Sequence, residues 1–432
     1  MRNDGLWETD EELATALRDA AGPGAAGPAG VGMIDGERIF CAALDGSNAA
    51  SAAPSAESFE VCVACLGKIF TATAVAEAVC AGQLDLDLPL DRLRYVPVVA
   101  RGVFQGITLR HLLSHTHGLD AYGVLRLPVS ADGLIDLVEL AAMLAPCPRL
   151  AVPGELYSYS NVGAWIAAGV LEHRFAASYA QILRSRVLDP LGIPLSMASQ
   201  CATHVQAAME CSPAVGGRAV LKLPDMMRFL QFHLRRNPQE GRASAAQLMV
   251  ERTVPMPGWA DECGMGLGWK SYDCGWFGHS ANTPTCSALV RIHPTRKLAF
   301  LTSTRGRTSF LLHTQLFGKL LPTSRVLLPW RASRPAAAVP VEAQRYLGTY
   351  GNRAHRLAIC SEGPSALVVR SAAGSAASSS VPLKAVHDHT FVLRLAGRHE
   401  GTWLQFIRPD DAGFQFIWNG RELFRRLPAQ RA

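Results

Sequence analysis

The sequence is short of charged residues, and of lysine in particular. Charged side chains make up 18% of the 432 residues, and only six of the 42 basic residues are lysine. The net charge of +6 is mild for this length, and the arginines are dispersed rather than gathered among aromatic residues. A nucleic-acid partner is therefore not predicted. A lysine inside an apolar helix, by contrast, requires a specific explanation.

The sequence also lacks a basic N-terminal end followed by an apolar run, and it lacks an apolar stretch long enough to span a bilayer. The first residues run into an acidic stretch at 8–12, and Lys68 and Glu77 interrupt the most apolar region. The eleven cysteines are scattered from Cys41 to Cys360, without the dense spacing of a disulfide scaffold. We therefore expect a cytoplasmic protein with reduced cysteines and no membrane partner.

Apolar residues make up 49% of the chain, which is ample for a folded core, and the length favours two domains. Strand patterns occur near the start, at 31–34 and 38–41, and return late, at 266–270, 287–292 and 298–302. Strands on both sides of a helical block predict one α+β domain, whose sheet is completed by distant parts of the chain.

Helical patterns fill the middle of the chain, and they predict an all-helical subdomain over about 83–235. Just before it, residues 65–81 are rich in alanine and other apolar residues and predict a buried helix. Gly82 stands where such a helix commonly ends.

The C-terminal part of the sequence has a different composition. Residues 326–340 are rich in proline and alanine and predict a linker, and short strands over 341–432 predict a small antiparallel, lipocalin-like barrel. The arginines near the C-terminus, among them Arg421, are predicted to lie on a solvated strand face and tail. The remaining divisions are an N-terminal segment, 1–25, and the α+β domain, 26–325.

Cys65 and Lys68 are the first candidates for chemistry. Residues three apart lie on one face of a helix, so the two side chains are predicted neighbours. A thiolate is the reactive form of cysteine, and both an adjacent cation and the N-terminal end of a helix stabilise it. Desolvated Lys68 can in turn lose its proton and serve as a base. The alternative is an inert cysteine in an apolar helix.

Four segments resemble the motifs of the serine β-lactamase and penicillin-binding protein superfamily, especially its esterase, D-aminopeptidase and class C branch. They are Cys65-Leu66-Gly67-Lys68, the run from Ile107 to Leu119, Tyr159-Ser160-Asn161 and His279-Ser280-Ala281. The resemblance spans 31–304 and implies an antiparallel sheet flanked by helices.

The resemblance implies a role for each matching residue. Cys65 stands in place of the nucleophilic serine, with Lys68 beside it. Tyr159 is the implied phenolic base or proton shuttle, because a phenol near an ammonium is easier to ionise. The backbone N–H groups of Cys65 and Asn282 are the implied oxyanion hole.

The resemblance also implies roles for residues of the second and third motifs. Asn161 is expected to hold the substrate amide, and His279 is expected to be a cation that steers protons to the leaving group. Ser280 and Ala281 are expected beside the substrate. Ala281 and Thr285 replace family glycines, and the methyl group of Ala281 is expected to narrow the floor of the cleft.

A metal site is the weaker interpretation of the same region. Cys62 and Cys65 form a C-x-x-C pair, and His111, His115 and His117 follow downstream. A structural zinc site requires two close pairs of ligands, which this spacing does not provide. We therefore predict neither a metal nor a cofactor.

A cysteine nucleophile changes the covalent intermediate from an ester to a thioester, which reacts with amines more readily relative to water. We therefore predict an acyltransferase or peptide-cyclising thioesterase of specialised metabolism, which takes its acyl group from a thioester or activated ester, with a carrier protein as a further candidate partner. Penicillin-binding-protein-type thioesterases, which also carry a small C-terminal β domain, are the architectural analogue. The alternatives are a hydrolase of D-amino acid peptides, amides or esters, and a non-catalytic binding protein.

Overall fold

A computed structural model of the chain provides the structure. It describes residues 6–22, 27–45, 56–121, 124, 126–146, 148–194, 196–197, 219–235, 244–256, 262–272, 275–283, 285–305, 309–317, 342–363, 366–371, 380–387, 389–393, 402–411, 413–419 and 421–428. The predicted linker at 326–340 lies outside these residues.

Helices α1 to α10 are, in chain order, Asp10–Ala21, Gly67–Cys80, Arg101–Phe104, Leu109–Leu113, Leu137–Leu144, Asn161–Phe175, Tyr179–Leu183, Leu223–Leu234, Ala245–Glu251 and Ser309–Phe317. A 3₁₀ turn, Ala64–Leu66, precedes α2, and a π-helical segment, Arg184–Leu188, continues α7. In the part of the chain that the structure describes, none of the helices combines the length and the apolar character needed to cross a bilayer.

Strands β1 to β11 are Ala29–Asp35, Arg38–Leu44, Glu60–Cys62, Ser196–Met197, Ala219–Lys222, Val254–Pro255, Glu262–Met265, Lys270–Tyr272, Phe277–Asn282, Cys286–His293 and Leu298–Arg305. Eight of them form an antiparallel sheet in the order β2-β1-β11-β10-β9-β8-β7-β6. The other three form a small sheet in the order β3-β5-β4.

Early and late parts of the chain meet in the eight-stranded sheet. β1 pairs with β2 on one side and with β11 on the other, which confirms that distant segments complete one sheet. Gly36 adopts φ +64° in the β1–β2 turn, a conformation that glycine reaches at little cost. Helix α1 follows its N-cap Thr9 and packs against β2, with Leu13 and Leu17 buried.

Helix α2 is enclosed by the rest of the domain. Eleven of its 14 residues are buried, and it packs against α6 and α9. Phe70 on α2 stacks on Phe229 of α8, with ring centres 3.8 Å apart. Gly82 follows the helix with φ +69°, as predicted for its C-terminal end. A side chain at the start of this helix is therefore held in a fixed position.

Two predictions about secondary structure are wrong. Of residues 266–270, predicted as a strand, 266–269 form the turn between β7 and β8, where Gly268 has φ +74°, and only Lys270 belongs to β8. The apolar residues that suggested a strand, Leu267 and Trp269, are buried within that turn. The middle of the chain, predicted to be all helical, also contains the short strands β4 and β5. These two strands pair with each other, and β5 also pairs with β3.

The C-terminal β domain is a closed antiparallel barrel, as predicted. Its strands, β12 to β19, are Gly348–Gly351, Arg356–Ser361, Leu367–Ser371, Val381–His387, Thr390–Leu393, Thr402–Asp410, Gly413–Trp418 and Leu423–Arg426. Aromatic residues fill its interior, where the ring centres of Tyr346 and Phe414 lie 5.0 Å apart.

The barrel packs directly on the loop that precedes α6. Trp418 of the barrel contacts Tyr157 of this loop edge to face, with ring centres 6.3 Å apart. Both residues belong to one hydrophobic cluster that also contains Tyr159. At the rim, Arg408 of the barrel pairs with Glu155. The two domains therefore meet beside the predicted second motif.

Candidate active site

Cys65 lies on a constrained turn at the start of α2. The preceding residue, Ala64, has φ +37°, which is uncommon for a residue with a side chain and is often found at functional sites. The Cys65 side chain is partly exposed, whereas Ala64 and Leu66 on either side are buried. The α-helix begins at Gly67 rather than at Cys65, but the sulfur remains at its N-terminal end, where the helix dipole favours an anion.

Two hydrogen-bond donors meet at the Cys65 sulfur. The hydroxyl of Tyr159 donates one bond and the backbone N–H of Asn282 donates the other. Tyr159 lies in the loop before α6, and Asn282 is the last residue of β9. Three separate parts of the fold therefore converge on one atom. The N–H of Asn282 stands where the family resemblance implies an oxyanion-hole donor.

Lys68 lies beneath this cluster. Its side chain is 2% exposed, and its Nζ has no hydrogen-bond partner among the described residues. Nζ lies 4.8 Å from the ring centre of Tyr159. Burial lowers the pKa of Lys68 to about 8, against the attraction of the Cys65 thiolate. An amine with this pKa can both donate and accept a proton near neutral pH.

The electrostatic surroundings favour the thiolate of Cys65. Burial alone works against ionisation of the thiol. The Lys68 ammonium and the hydroxyl of Tyr159 oppose that effect, and Arg421 and the N–H of Asn282 add smaller contributions. The pKa of Cys65 is consequently lowered from its ordinary value. The predicted pairing of cysteine and lysine is therefore present in space.

Tyr159 serves as a donor rather than as a phenolate. Burial, followed by the negative charge of Cys65, raises the pKa of Tyr159 well above its ordinary value. The expectation that a neighbouring ammonium makes this phenol easier to ionise is therefore wrong. The ammonium of Lys68 stabilises the sulfur anion instead, and the phenol keeps the proton that it shares with that anion.

His279 is a neutral imidazole. Burial, with smaller contributions from the charges of Lys68 and Lys270, lowers its pKa to about 3. The cationic role implied by the resemblance is therefore wrong. Nδ1 of His279 donates a hydrogen bond of 2.9 Å to the Ser280 carbonyl, which leaves Nε2 as the unprotonated nitrogen. This Nε2 is buried without a hydrogen-bond partner among the described residues, so it can accept a hydrogen bond.

The other predicted residues flank this cluster. Asn161 is the first residue of α6 and is partly exposed, as is Ser280, whereas Asn282 is exposed. Ala281 is 1% exposed and belongs to the main hydrophobic core. Its methyl group therefore does not narrow the floor of an open cleft, which corrects that expectation. Thr285 is exposed beyond the end of β9.

His115 is a site residue for which the sequence analysis predicts no individual role. It has φ +55°, and its ring centre lies 4.6 Å from that of Tyr159. Its Nδ1 accepts a 3.3 Å hydrogen bond from the backbone N–H of Ser160. Burial lowers the pKa of His115 well below its ordinary value, so the ring is neutral. The only sequence signal for His115 was its place in the run from Ile107 to Leu119, which resembles a family motif.

Arg421 is the second such residue, and it comes from the barrel. Its carbonyl accepts a 2.8 Å hydrogen bond from the N–H of Tyr159, and its guanidinium lies 5.1 Å from the centre of that ring. The side chain is exposed, as predicted, but Arg421 lies in the turn before β19 rather than on a strand, and it contacts Tyr159. Sequence offered no signal for this contact, because it depends on how two domains pack.

The histidines downstream of Cys65 have structural roles. Nδ1 of His111 accepts a 3.3 Å hydrogen bond from the N–H of Thr108 and helps to cap α4. Nδ1 of His117 accepts a 3.1 Å bond from the N–H of Leu119. Across the described ranges, no three side chains of the metal-binding types are gathered as a metal ion would require.

Known proteins resemble this chain over most of its length. Penicillin-binding protein 4 of Amycolatopsis lactamdurans is 28% identical over 320 residues, which cover 66% of this chain and 82% of that protein. Esterase EstB of Burkholderia gladioli is 32% identical over 145 residues, which cover 30% of this chain and 36% of the esterase. The crystal structure of SurE with D-Leu matches with a TM-score of 0.75 at 23% identity and covers 97% of this chain and 99% of SurE.

These similarities agree with the observed fold. The SurE match extends over the barrel as well as the α+β domain, so it shows that the whole architecture is shared. The sequence profile of the Beta-lactamase family matches residues 14–311, which contain Cys65, Lys68, Tyr159 and His279. The chain therefore belongs to the Beta-lactamase family.

Proposed function

We propose that this protein is an acyltransferase that forms a thioester on Cys65 and passes the acyl group to an amine, as a peptide-cyclising thioesterase does. One observation carries the proposal: the sulfur of Cys65, a partly exposed residue, receives two hydrogen bonds and has a buried lysine beside it. Thiolates attack thioesters and activated esters readily. The acyl donor is a small molecule or peptide activated in this way, free or on a carrier protein.

Acylation begins from the thiolate of Cys65. The sulfur attacks the donor carbonyl, and the oxygen that becomes negative is held by the N–H groups of Cys65 and Asn282. Collapse of this tetrahedral intermediate breaks the bond to the leaving group, which takes a proton from the Lys68 ammonium. The products are a Cys65 thioester, a neutral leaving group and neutral Lys68.

The change of charge at Cys65 drives the next step. The thiolate raises the pKa of Lys68. Acylation removes the negative charge of the thiolate, so it lowers the pKa of Lys68 and makes the ammonium a readier proton donor. Neutral Lys68 then takes the proton of the attacking amine, and Nε2 of His279 can accept a hydrogen bond from that amine. The second tetrahedral intermediate expels the Cys65 thiolate, and the resting state returns with the amide as product.

Hydrolysis is the second candidate function, because the curated relatives include an esterase and a penicillin-binding protein. The nature of the intermediate favours transfer, since a thioester partitions toward amines more than an oxygen ester does. The crystallised SurE contains D-Leu, so a donor that ends in a D-amino acid residue is a rational first substrate for this chain.

The test is intact-mass spectrometry with an N-acetylcysteamine thioester of a short peptide that ends in D-Leu. We expect the enzyme to gain the mass of the peptidyl group, and added primary amine to divert the product from acid to amide. Cys65→Ala should remove both the adduct and the product. Cys62→Ala is the matched control, because Cys62 is a partly exposed cysteine three residues away, and its loss should preserve both.

The outcomes separate the candidates. An adduct that yields only acid, whatever the amine concentration, would assign the protein as a hydrolase. Turnover by Cys65→Ala at the wild-type rate would refute the covalent mechanism altogether.

A further inference from the structure

The turn between β18 and β19 of the barrel holds the loop that carries Tyr159. The carbonyl of Arg421 accepts the N–H of Tyr159 at 2.8 Å, and the N–H of Leu423 donates to Oγ of Ser158 at 3.3 Å. Two consecutive residues of the loop are thus bound by one turn. The orientation of Tyr159 therefore depends on the barrel as well as on the domain in which Tyr159 lies.

The turn is itself fixed by a local hydrogen-bond network. Oδ1 of Asn419 accepts the N–H of Arg421 at 3.1 Å and that of Glu422 at 2.7 Å. Asn419 also donates its own N–H to the Glu422 carbonyl at 3.2 Å. An asparagine that bonds the backbone two and three residues on is typical of a stable turn. Arg421 is consequently presented to the active site by an ordered segment.

The guanidinium of Arg421 adds a second cation to the site. It lies 5.1 Å from the centre of the Tyr159 ring, whose hydroxyl donates to the sulfur of Cys65. We propose that Arg421 is a positioning residue: its carbonyl fixes Tyr159, and its guanidinium stabilises the anionic form of Cys65. The inference rests on the proposed function, in which Cys65 is the nucleophile.

The other groups around the sulfur leave room for such a role. Lys68 of α2 is the nearer cation, and Tyr159 and the N–H of Asn282 are neutral donors. His115 and His279 are held neutral by burial, so neither supplies positive charge at working pH. Lys68, with a pKa of about 8, loses its charge as the pH rises. Arg421 then remains as the permanent cation, because a guanidinium keeps its proton.

The effect of Arg421 is moderate in size, because its side chain is exposed. Interactions of exposed charges are worth about 0.2–1 kcal/mol and are screened by salt. Removal of the charge is therefore expected to slow the reaction of Cys65 with an electrophile by about 1.4- to 5-fold at neutral pH and low salt. The same removal is expected to have little effect in about 1 M salt, where the screening length is about 3 Å.

The experiment measures the rate at which iodoacetamide alkylates Cys65 as a function of pH, read by mass spectrometry of the Cys65 peptide. Arg421→Gln should shift the profile to higher pH and show the predicted salt dependence, and Arg421→Lys should restore the wild-type profile. Arg370→Gln is the matched control, because Arg370 is an exposed barrel residue paired with Glu362. Its profile should match that of the wild type.

Each result bears on the inference. A wild-type profile for folded Arg421→Gln would overturn it. A slower rate that salt does not change, and that lysine does not rescue, would also overturn it, because it would indicate only a packing role. Alkylation reports the ionisation of Cys65 without an acyl donor. A shifted profile in an enzyme that forms no adduct with thioesters would therefore support the role of Arg421 while refuting the proposed function.

Discussion

Nζ of Lys68 lies 4.8 Å from the ring centre of Tyr159, while the hydroxyl of the same ring donates to the sulfur of Cys65. The face of the Tyr159 ring thus contacts the Lys68 ammonium, and its hydroxyl donates a hydrogen bond to the Cys65 thiolate. A cation near an aromatic face is attracted by the ring, and a thiolate is stabilised by a donor. Tyr159 therefore helps to keep the charges of the cysteine–lysine pair separated in a buried site.

Replacement of Lys68 by methionine removes the charge and keeps a similar length. We expect alkylation of Cys65 at neutral pH to slow by at least about tenfold, and acyl transfer to fall by about 10²-fold or more, because both the thiolate and the proton donor are affected. The same variant should melt at a higher temperature, since a buried amine without a hydrogen-bond partner is costly. An unchanged alkylation profile would contradict the assignment.

Replacement of Tyr159 by phenylalanine keeps the ring and removes the hydrogen bond to the sulfur. A bond to a charged group contributes about 1.5–3 kcal/mol, so we expect the reactivity of Cys65 at neutral pH to fall by about 10- to 100-fold. Tyr179→Phe is the control, because its hydroxyl is also buried and lies 2.7 Å from Oγ1 of Thr71 away from the site. Equal effects of the two changes on alkylation would argue against a specific role.

The pH dependence of kcat/KM should form a bell. On the acid side, activity rises as Cys65 loses its proton, at a pH below the ordinary pKa of a thiol, because its surroundings lower that value. On the basic side, activity falls above about pH 8, because Lys68 has then lost the proton that the leaving group requires. Stopped-flow or steady-state rates with one thioester over both limbs provide the measurement. A rate that continues to rise well above pH 8 would contradict the role of the ammonium.

Two glycines with the same backbone conformation should differ in their tolerance of alanine. Gly118 has φ +71°, and a Cβ there would lie 2.1 Å from the carbonyl oxygen of Ala151. Gly106 has φ +69° and no atom within 4 Å of a Cβ. We expect Gly106→Ala to cost about 1–2 kcal/mol for its left-handed backbone, and Gly118→Ala to cost more, because backbone must also move. Denaturant unfolding compares them, and equal losses would mean that the clash relaxes freely.

Local patterns predicted the elements whose signals are local. The β1–β2 hairpin follows from alternating apolar residues around Gly36, and helix α2 follows from its alanines and the terminal Gly82. The barrel strand Arg356–Ser361 was not predicted, because only Ile359 within it is buried. A strand at the surface of a small barrel need not show a strong apolar alternation, so its place in the barrel depends on its neighbours.

In the candidate site, too, the features that depend on local spacing could be predicted, whereas those that depend on the assembled fold could not. The proximity of Cys65 and Lys68 could be predicted, because one helical turn relates them. The charge states of His279 and Tyr159 could not, because burial, which arises from the assembled fold, sets both. The contribution of Arg421 required the packing of one domain on another, a relationship that no spacing in the sequence records.

The contact between Ser158 and Leu423 also has a consequence for biosynthesis, because it joins residues 265 positions apart. At translation rates of about 5–20 residues per second, roughly 13 to 53 seconds separate the appearance of its two sides. Through that interval the growing polypeptide already contains Cys65 and Tyr159, but the hydrogen bond between Leu423 and Ser158 cannot yet form. The loop that carries Tyr159 is therefore held by the barrel only after the C-terminal part of the chain has been synthesised.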